Sequence, residues 1–406
     1  MLDMEAIKNF SIDKSGWKKV KFGDVVFEPK DSVKDPVAEG IEHVVGLEHI
    51  ESENIHLRRS ASIEGSTTFT KKFSQGDVLF GRRRAYLKKA AKASFEGICS
   101  GDITVMRAKE EVLLPALLPF IINNDQFFDY SITHSAGGLS PRVKFKDLKN
   151  YEFNLPTKNI QMKLAELFWS MDSLIRSKGD QIESIDIFKM AKMKSLLSEG
   201  IGHSDFKDSM LGKIPVSWEV GMLEDYCDEI FLGLTSKVDY VDSGGYPLIR
   251  AKDFNKGTLD FSEVKFISEE QHSKLTKNRK TKIGDILVSK SGSLGTCAIV
   301  DTDREFSTYE SVITLQPTKS ILDNNFLLQI LTSTAFQNKM ITKKVGGIVG
   351  HLNLLTFRKN LIPLPPIEEQ YLISRALLQI ESTRRELELS LSSSIKLQKS
   401  LVQKVF

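Results

Sequence analysis

The sequence predicts a mixed α/β protein with two tandem-duplicated globular modules, each followed by a long helix. The chain has 406 residues, which a rule of about 150 residues per domain divides into two or three domains. Short motifs recur in the same order, and two segments of roughly 40 residues are almost free of Gly and Pro. The 41% hydrophobic and 27% charged residues exclude a globally disordered or collagen-like chain.

The duplication is visible in paired anchors that keep their order while the residues between them differ. Their offsets are nearly constant, between 201 and 209 positions. Ordered self-similarity is the sequence signature of a repeated architecture. The pairs are Trp17 and Trp218, Gly76-Asp77-Val78-Leu79-Phe80 and Gly284-Asp285-Ile286-Leu287-Val288, Gly137-Gly138 and Gly346-Gly347, Leu155-Pro156 and Leu364-Pro365, and Gln161 and Gln370.

Each module combines strands with short helices. Apolar, β-branched runs bounded by turn residues predict strands at 78–80, 103–106 and 311–315. Helical stretches are predicted at 113–123 and 325–338. Each module is therefore expected to be mixed α/β or α+β.

The two long helices follow the modules. Residues 159–198 contain no Pro and one Gly, and residues 368–406 contain neither. Heptad-spaced apolar residues with charged flanks favour an antiparallel coiled coil of helices about 60 Å long, the alternative being that each helix packs on its own module. The predicted core rows are Leu164, Met171 and Ile185 with Leu167, Leu174 and Phe188, and then Ile373, Ile380, Leu387 and Leu401 with Leu377, Leu391 and Val405.

These patterns set the predicted domain boundaries. The globular domains are residues 1–157 and 201–366, the latter including a linker. The central helix is 158–200 and the C-terminal helix is 367–406. Gly200 is well placed to cap the end of the first helix, because glycine adopts the left-handed conformation that such caps need.

Local charge is more informative than the formal net charge of +3. Residues 54–96 carry ten Lys/Arg against three Asp/Glu, and residues 271–296 carry six against one. Both segments surround the Gly-Asp turn of their module, which favours DNA binding over a solvated basic face. Basic side chains neutralise phosphates, and an arginine can read guanine through two hydrogen bonds. The candidates are Lys71, Lys72, Arg82, Arg83, Arg84, Lys88, Lys89 and Lys290.

Glycine-containing loops supply further candidates at 135–142, 231–237, 289–296 and 346–351. Glycine allows close approach of backbone to a phosphate, although a plain β-turn is the alternative for each loop. The candidate contacts are Arg142, Thr235, Ser236, Ser291, Ser293 and His351.

Catalytic chemistry is not expected. The sequence lacks H-E-x-x-H, C-x-x-C and G-x-S-x-G, so no catalytic residue, metal site or cofactor is predicted. His43, His49 and His56 lack ligand spacing, and Cys99 is expected to be a buried apolar residue. Three distant cysteines, no apolar run of about 20 residues and no secretory signal predict a cytoplasmic protein without a membrane partner.

The order of these segments resembles the DNA-specificity subunit of type I restriction–modification systems. Residues 72–80, 84–90 and 97–103 resemble one type of target-recognition domain in that family. Residues 196–203 (LLSEGIGH) and 212–220 (GKIPVSWEV) resemble its linker, and 364–370 its conserved helix junction. The first junction, 155–161, departs from the pattern because it lacks the second proline and the acidic pair.

The resemblance implies a non-catalytic subunit that recognises a bipartite, asymmetric sequence in double-stranded DNA. Each target-recognition domain would read one half, and the coiled coil would set the length of the unread spacer. The implied protein partners are two methyltransferase subunits, which dock around the helices, and a restriction and translocation subunit. Two alternatives remain at this point: a duplicated coiled-coil scaffold that binds proteins, and a nuclease with an unrecognised site.

Overall fold

The computed structural model describes residues 13–63, 68–242, 244–255, 257–277, 279–342 and 351–406. The chain divides into two compact units, with Met1–Gln181 and Leu387–Phe406 in unit 1 and Ile182–Glu386 in unit 2. Each unit therefore contains one module and part of both long helices. Among the residues described, no helix is long and apolar enough to cross a membrane.

The module of unit 1 begins with a strand and ends where the first long helix starts. Single 3₁₀ turns occupy Leu47–His49, Ala85–Leu87 and Pro115–Leu117. Its helices are α1 (Phe22–Val25), α2 (Leu118–Ile122), α3 (Asp125–Thr133), α4 (Phe145–Leu148) and the first part of α5 (Lys158–Ser198). Its strands are β1 (Lys18–Lys21), β2 (Val26–Phe27), β3 (His43–Val45), β4 (Ala61–Ser62), β5 (Lys71–Phe73), β6 (Val78–Gly81), β7 (Ala90–Lys92), β8 (Gly97–Cys99), β9 (Ile103–Ala108) and β10 (Glu152–Leu155).

Two four-stranded sheets build unit 1, in the orders β2-β9-β6-β7 and β4-β3-β8-β5, and β1 pairs with β10. Strand β6 is buried along its whole length, because its residues Val78, Leu79 and Phe80 pack on both faces of the sheet. The Phe80 ring lies 5.9 Å from Phe127 and 5.8 Å from Phe128, measured between centroids. The predicted strands at 78–80 and 103–106 are confirmed.

Unit 2 repeats this plan, with an added hairpin at its start and a 3₁₀ turn at Leu223–Tyr226. Its helices are α6 (Glu269–Thr276), α7 (Asn324–Thr332), α8 (Thr334–Thr342), α9 (Leu354–Arg358) and the first part of the second long helix, α10 (Ile367–Val405). Its strands are β11 (Phe206–Ser209), β12 (Gly212–Pro215), β13 (Glu219–Met222), β14 (Cys227–Leu232), β15 (Tyr240–Val241), β16 (Tyr246–Ile249), β17 (Phe254–Asn255), β18 (Thr258–Leu259), β19 (Lys265–Ile267), β20 (Ile286–Ser289), β21 (Cys297–Ile299), β22 (Ser307–Thr308), β23 (Val312–Pro317) and β24 (Leu361–Leu364).

One four-stranded sheet corresponds strand by strand between the two units, whereas the second sheet of unit 2, β15-β19-β16-β22, has its parallel pair at the edge and not at the centre. The order β14-β23-β20-β21 repeats β2-β9-β6-β7, and β13 pairs with β24 as β1 pairs with β10. The register is also repeated, since Val78 faces Met106 in unit 1 and Ile286 faces Leu315 in unit 2. The strand predicted at 311–315 is therefore confirmed. The helix predicted at 325–338 is interrupted at Ser333, which separates α7 from α8.

A buried glutamine occupies the same position in each unit. The Gln161 carbonyl accepts from the Leu114 N–H at 2.7 Å, and its amide donates to the carbonyls of Val112 and Pro156 at 3.0 and 2.9 Å. Gln370 makes the matching bonds to Asp323, Ile321 and Pro365, each at 2.9 Å. The predicted duplication is thus confirmed at the level of individual hydrogen bonds.

The two Gly-Asp turns share a backbone but differ in the partner of the aspartate. Asp77 accepts from the Arg107 guanidinium at 2.6 and 2.8 Å. Asp285 accepts from the neutral Gln316 amide at 2.7 Å instead. Burial without a cationic partner raises the pKa of the Asp285 carboxyl above its usual value.

The long helices pair in opposite directions in each unit. In unit 1, the Lys178 ammonium donates to the hydroxyls of Ser390 and Ser394, and the Gln398 amide donates to the Phe168 carbonyl at 3.1 Å. In unit 2, Arg384 pairs with Asp186, and Lys189 pairs with Glu381. Rising numbers on α5 therefore meet falling numbers on α10, as the predicted antiparallel pairing requires.

One of the predicted heptad rows is wrong. Leu167, Leu174 and Phe188 are 45%, 50% and 49% exposed, whereas Phe168 is fully buried and Ile175 and Ile182 are half-buried. The core row of α5 lies one residue further along, because the helix carries apolar residues on two adjacent rows and only one can face its neighbours. The rows predicted for α10 are buried or half-buried.

Gly200 ends the first long helix as predicted. Its φ is +69°, and a Cβ there would lie 2.4 Å from a carboxylate oxygen of Glu369. That carboxylate accepts from the Ile201 N–H, the His203 ring and the Trp218 indole, each at 2.9 Å. Glycine is needed here both for its left-handed conformation and for the space that it leaves.

Candidate nucleic-acid interface

In unit 1 the chain leaves β6 at Arg82 and meets two other loops. The Arg82 N–H donates to the Asp102 carbonyl at 3.0 Å, and the Arg82 carbonyl accepts from the Val143 N–H at 3.0 Å. The Arg84 N–H donates to the Pro141 carbonyl at 2.8 Å. These bonds bring together three predicted arginines and the predicted loop at 135–142.

Asp102 organises the side chains at this edge, which we call the arginine edge (Arg82–Arg84, Asp102 and Ser140–Arg142). Its carboxylate accepts from Arg142 Nε at 2.7 Å and from Arg83 Nη1 at 3.3 Å. The hydrogen bond from Arg142, supported by Arg83, holds the pKa of the Asp102 carboxyl below its usual value. Sequence reasoning missed Asp102, which lies about 20 residues from Arg83 and 40 from Arg142 in the chain.

The turn after Arg83 is strained and exposed. Arg84 and Lys88 have φ of +55° and +47°, a region that non-glycine residues seldom occupy, and they bracket the 3₁₀ turn at Ala85–Leu87. Tyr86 on this turn is 52% exposed, and Leu139 on the facing loop is 98% exposed. Strained backbone that holds exposed side chains is a feature of binding sites.

The lysines predicted in unit 1 have different surroundings. Lys71 donates to Glu28 and to the Ile103 carbonyl, and Lys89 donates to the Leu47 carbonyl. Lys88 donates to Asp125 at 2.6 Å, and this bond raises the pKa of its ammonium group. Lys72 is half-buried in β5. The structure thus gives three of these four lysines internal partners, and it brings the arginines together.

Unit 2 holds the same backbone frame with different side chains. The Lys290 N–H donates to the Ser311 carbonyl at 2.8 Å, and the Lys290 carbonyl accepts from the Leu352 N–H at 3.0 Å. Lys290, Ser311 and Leu352 therefore correspond to Arg82, Asp102 and Val143. By the same register, Ser291 stands at the position of Arg83 and exposed His351 at that of Arg142. Residues 343–350, including the predicted Gly346-Gly347 anchor, lie outside the described part of the chain.

The serine-rich loop at 289–296 closes on itself. The Ser289 N–H donates to the Thr296 carbonyl at 2.8 Å, and the Gly295 N–H donates back to the Ser289 carbonyl at 2.9 Å. The Ser289 hydroxyl donates to the Ser291 carbonyl, and Ser293 is exposed. The loop is a hydrogen-bonded turn that presents Ser293 to solvent.

Thr235 and Ser236 line a cavity of about 780 Å³ in unit 2. Two arginines that the sequence did not single out line it too. Arg279 lies over the Phe231 ring at 5.8 Å, and Arg358 donates to the Ile230 carbonyl. The cavity is therefore lined by basic and polar side chains, and its two hydroxyl residues, Thr235 and Ser236, are exposed.

Groups that could have indicated catalysis have structural partners. The Cys99 thiol is buried, and burial raises its pKa to about 12, so the thiolate needed for nucleophilic attack is not formed near neutral pH. His56 contacts Asp172 at 2.8 Å, and His43 contacts Ser60 at 2.9 Å. In the described ranges, no group of three His, Cys, Asp or Glu side chains is placed to hold a metal ion.

Comparison with known proteins finds similarity to one family. Residues 215–397 match the type I restriction modification DNA specificity domain. The type I restriction enzyme MjaVIII specificity subunit of Methanocaldococcus jannaschii is 25% identical over 293 residues, which cover 71% of this chain and 68% of that protein. The EcoBI specificity subunit of Escherichia coli is 26% identical over 61% of this chain and 55% of that protein.

A solved structure supports the fold. A chain from a study of complex assembly and conformational transition of the type I R-M system superposes with a TM-score of 0.64 at 21% identity. The match covers 96% of this chain and 97% of the other. Residues 215–397 therefore match the type I restriction modification DNA specificity domain, and the chain as a whole is similar to type I restriction enzyme specificity subunits.

Proposed function

We propose that this chain binds double-stranded DNA and recognises a bipartite, asymmetric target, to which it directs methyltransferase and restriction subunits. The observation that carries the proposal is that two modules with one backbone frame place different polar side chains at the same edge. Arg83, Asp102 and Arg142 in unit 1 stand where unit 2 has Ser291, Ser311 and His351. Base edges differ in their donors and acceptors, so two such edges select two different half-sites.

We assign DNA contact to the predicted residues that remain once those held by internal groups are set aside. These are Lys72, Arg82, Arg84, Arg142, Thr235, Ser236, Lys290, Ser291, Ser293 and His351. Lys71, Arg83, Lys88 and Lys89 already donate to internal groups, so we expect them to shape the module. Contacts from cationic side chains to phosphates supply the affinity that does not depend on sequence, and contacts to base edges supply the specificity.

We propose the domain organisation that follows from this assignment. Residues 1–157 and 201–366 are the target-recognition domains, and residues 158–200 and 367–406 are the helices. The chain itself performs no catalysis and needs no cofactor. We expect it to act in the cytoplasm, where its DNA target is accessible.

Exposed apolar side chains on the long helices support docking of protein partners. Ile187 and Met190 on α5 are 64% and 63% exposed, and Leu372 and Leu389 on α10 are 56% and 65% exposed. Such residues are costly to leave in water in this number, and protein interfaces commonly cover them. We propose that two methyltransferase subunits bind here, one for each half of the target.

Mapping of methylated sites tests the proposal. The chain would be co-expressed with the methyltransferase subunit encoded beside it, in a host that lacks DNA methylation of this type. The expected result is one bipartite methylated motif that disappears when the chain is omitted. Methylation that is absent, or that has the same pattern without the chain, would contradict the proposed function.

A further inference from the structure

The arginine edge differs from a general phosphate-binding patch because an acid lies at its centre. Asp102 accepts two hydrogen bonds from Arg142, from Nε at 2.7 Å and from Nη2 at 3.4 Å. Because the Asp102 carboxylate is hydrogen-bonded to Arg142, it would repel a phosphate bound at Arg142, and it lowers the net positive charge that such a phosphate would meet. It does not repel a base edge, which is neutral.

Arg142 retains hydrogen-bond donors that the module does not use. A guanidinium has five N–H groups, and Asp102 takes those of Nε and one of Nη2. Among the described residues, the other three have no protein partner, and 42% of the side chain is exposed. The Nη1 and Nη2 groups therefore form an outward fork, which matches the O6 and N7 acceptors of guanine in the major groove.

Arg83 is held in a different way. Its Nη1 donates to Asp102 at 3.3 Å and its Nη2 to the Ser140 hydroxyl at 3.1 Å, while its Nε is buried. Both ends of its guanidinium are thus engaged within the module. It neutralises Asp102 and fixes the loop at 135–142, on which Arg142 lies.

We propose that Arg142 reads a guanine in the half-site of unit 1, with Asp102 and Arg83 as positioning residues. This inference rests on the proposed function and adds the base and the residue that selects it. The equivalent positions in unit 2 carry no arginine, since Ser291, Ser311 and His351 stand there. The half-site of unit 2 is therefore read at the corresponding position by a histidine and serines, without the guanidinium fork.

Selection from a random duplex library tests the proposal with the full chain. A pool of randomised double-stranded DNA would be bound by the wild type and by Arg142→Lys, and the retained sequences compared. Lysine keeps the charge but lacks the planar fork. We expect the preference for guanine to fall on the order of 10- to 100-fold at one position of one half-site. The other half-site stays unchanged, which shows that the variant is folded.

Two further variants separate reading from positioning. Asp102→Asn keeps an acceptor for Arg142 but loses the charge, so we expect a smaller loss at the same position. Arg176→Lys is the matched control, because it makes the same exchange at an exposed arginine of unit 1 on α5, outside the set assigned to DNA contact. We expect the control to select the wild-type sequence.

The outcomes are distinct. If the wild type selects a bipartite sequence and Arg142→Lys selects the same sequence with equal preference, the role of Arg142 is overturned and the proposed function stands. If Arg176→Lys loses the guanine preference to the same extent as Arg142→Lys, the loss is not specific to Arg142 and the assignment is likewise overturned. A wild type without any sequence preference overturns both proposals.

Discussion

The buried Gln161 allows a prediction whose size follows from its contacts. Gln161→Leu keeps the shape of the side chain but removes its three hydrogen bonds. The Leu114 N–H and the carbonyls of Val112 and Pro156 then lose their partner. An unsatisfied buried group costs about 1–3 kcal/mol, and only the Pro156 bond is fully buried, so we expect a total near 3 kcal/mol.

Hydrogen exchange measured by NMR or mass spectrometry is the appropriate assay, because a chain with two units need not unfold in one step. A loss of about 3 kcal/mol corresponds to roughly 100-fold faster exchange of the Leu114 amide. Gln370→Leu should have the same effect on the Asp323 amide, which donates the equivalent hydrogen bond in unit 2. Gln379→Leu, an exposed site on α10, is the control and should change stability by less than about 0.5 kcal/mol. A change below threefold at Leu114 would refute the role given to Gln161.

Four more predictions concern individual features of the units. Asp77→Asn should destabilise unit 1 by about 1–3 kcal/mol, because Arg107 loses a charged partner. Asp285→Asn should stabilise unit 2 at neutral pH. Because the pKa of Asp285 is raised in the folded state, the stability gained by Asp285→Asn should shrink as the pH falls through that pKa, as urea titrations at several pH values can measure. If Asp77→Asn and Asp285→Asn changed the stability in the same direction at neutral pH, this reasoning would be contradicted. All three cysteine thiols have a pKa raised to about 12 by burial, so iodoacetamide should not modify the folded chain between pH 7 and 9, as mass spectrometry can check. A gain of guanine preference in the second half-site, scored by duplex selection, is expected from the combined transplant S291R, S311D and H351R.

The sequence was informative where the signal is local or repeated. The anchor offsets predicted the duplicated sheets, and the Gly-Asp turns lie at the start of equivalent strands. The heptad pattern predicted both long helices but not which row of α5 is buried. Leu167 and Phe168 are adjacent and equally apolar, and only packing decides between them.

Side-chain partners that are distant in the chain were not predictable. The sequence analysis made both Lys88 and Arg142 candidate DNA contacts, although Lys88 is paired with Asp125 and Arg142 is positioned by Asp102. One signal for the arginine edge was present in the sequence. The 208- to 209-residue offset aligns Asp102 with Ser311 and Arg142 with His351, and a comparison at that offset shows where the modules differ.

The hydrogen bonds from Lys178 to Ser390 and Ser394 favour one alignment of the helix pair in unit 1. An apolar seam alone would let one helix slide past the other by seven residues at little cost. Such a slip would move Ser394 away from Lys178 and put Leu387 or Leu401 of the same row against the ammonium group. The half-buried ammonium would then lose two hydroxyl acceptors, which is unfavourable. The polar contact therefore selects one register among those that the apolar row would accept.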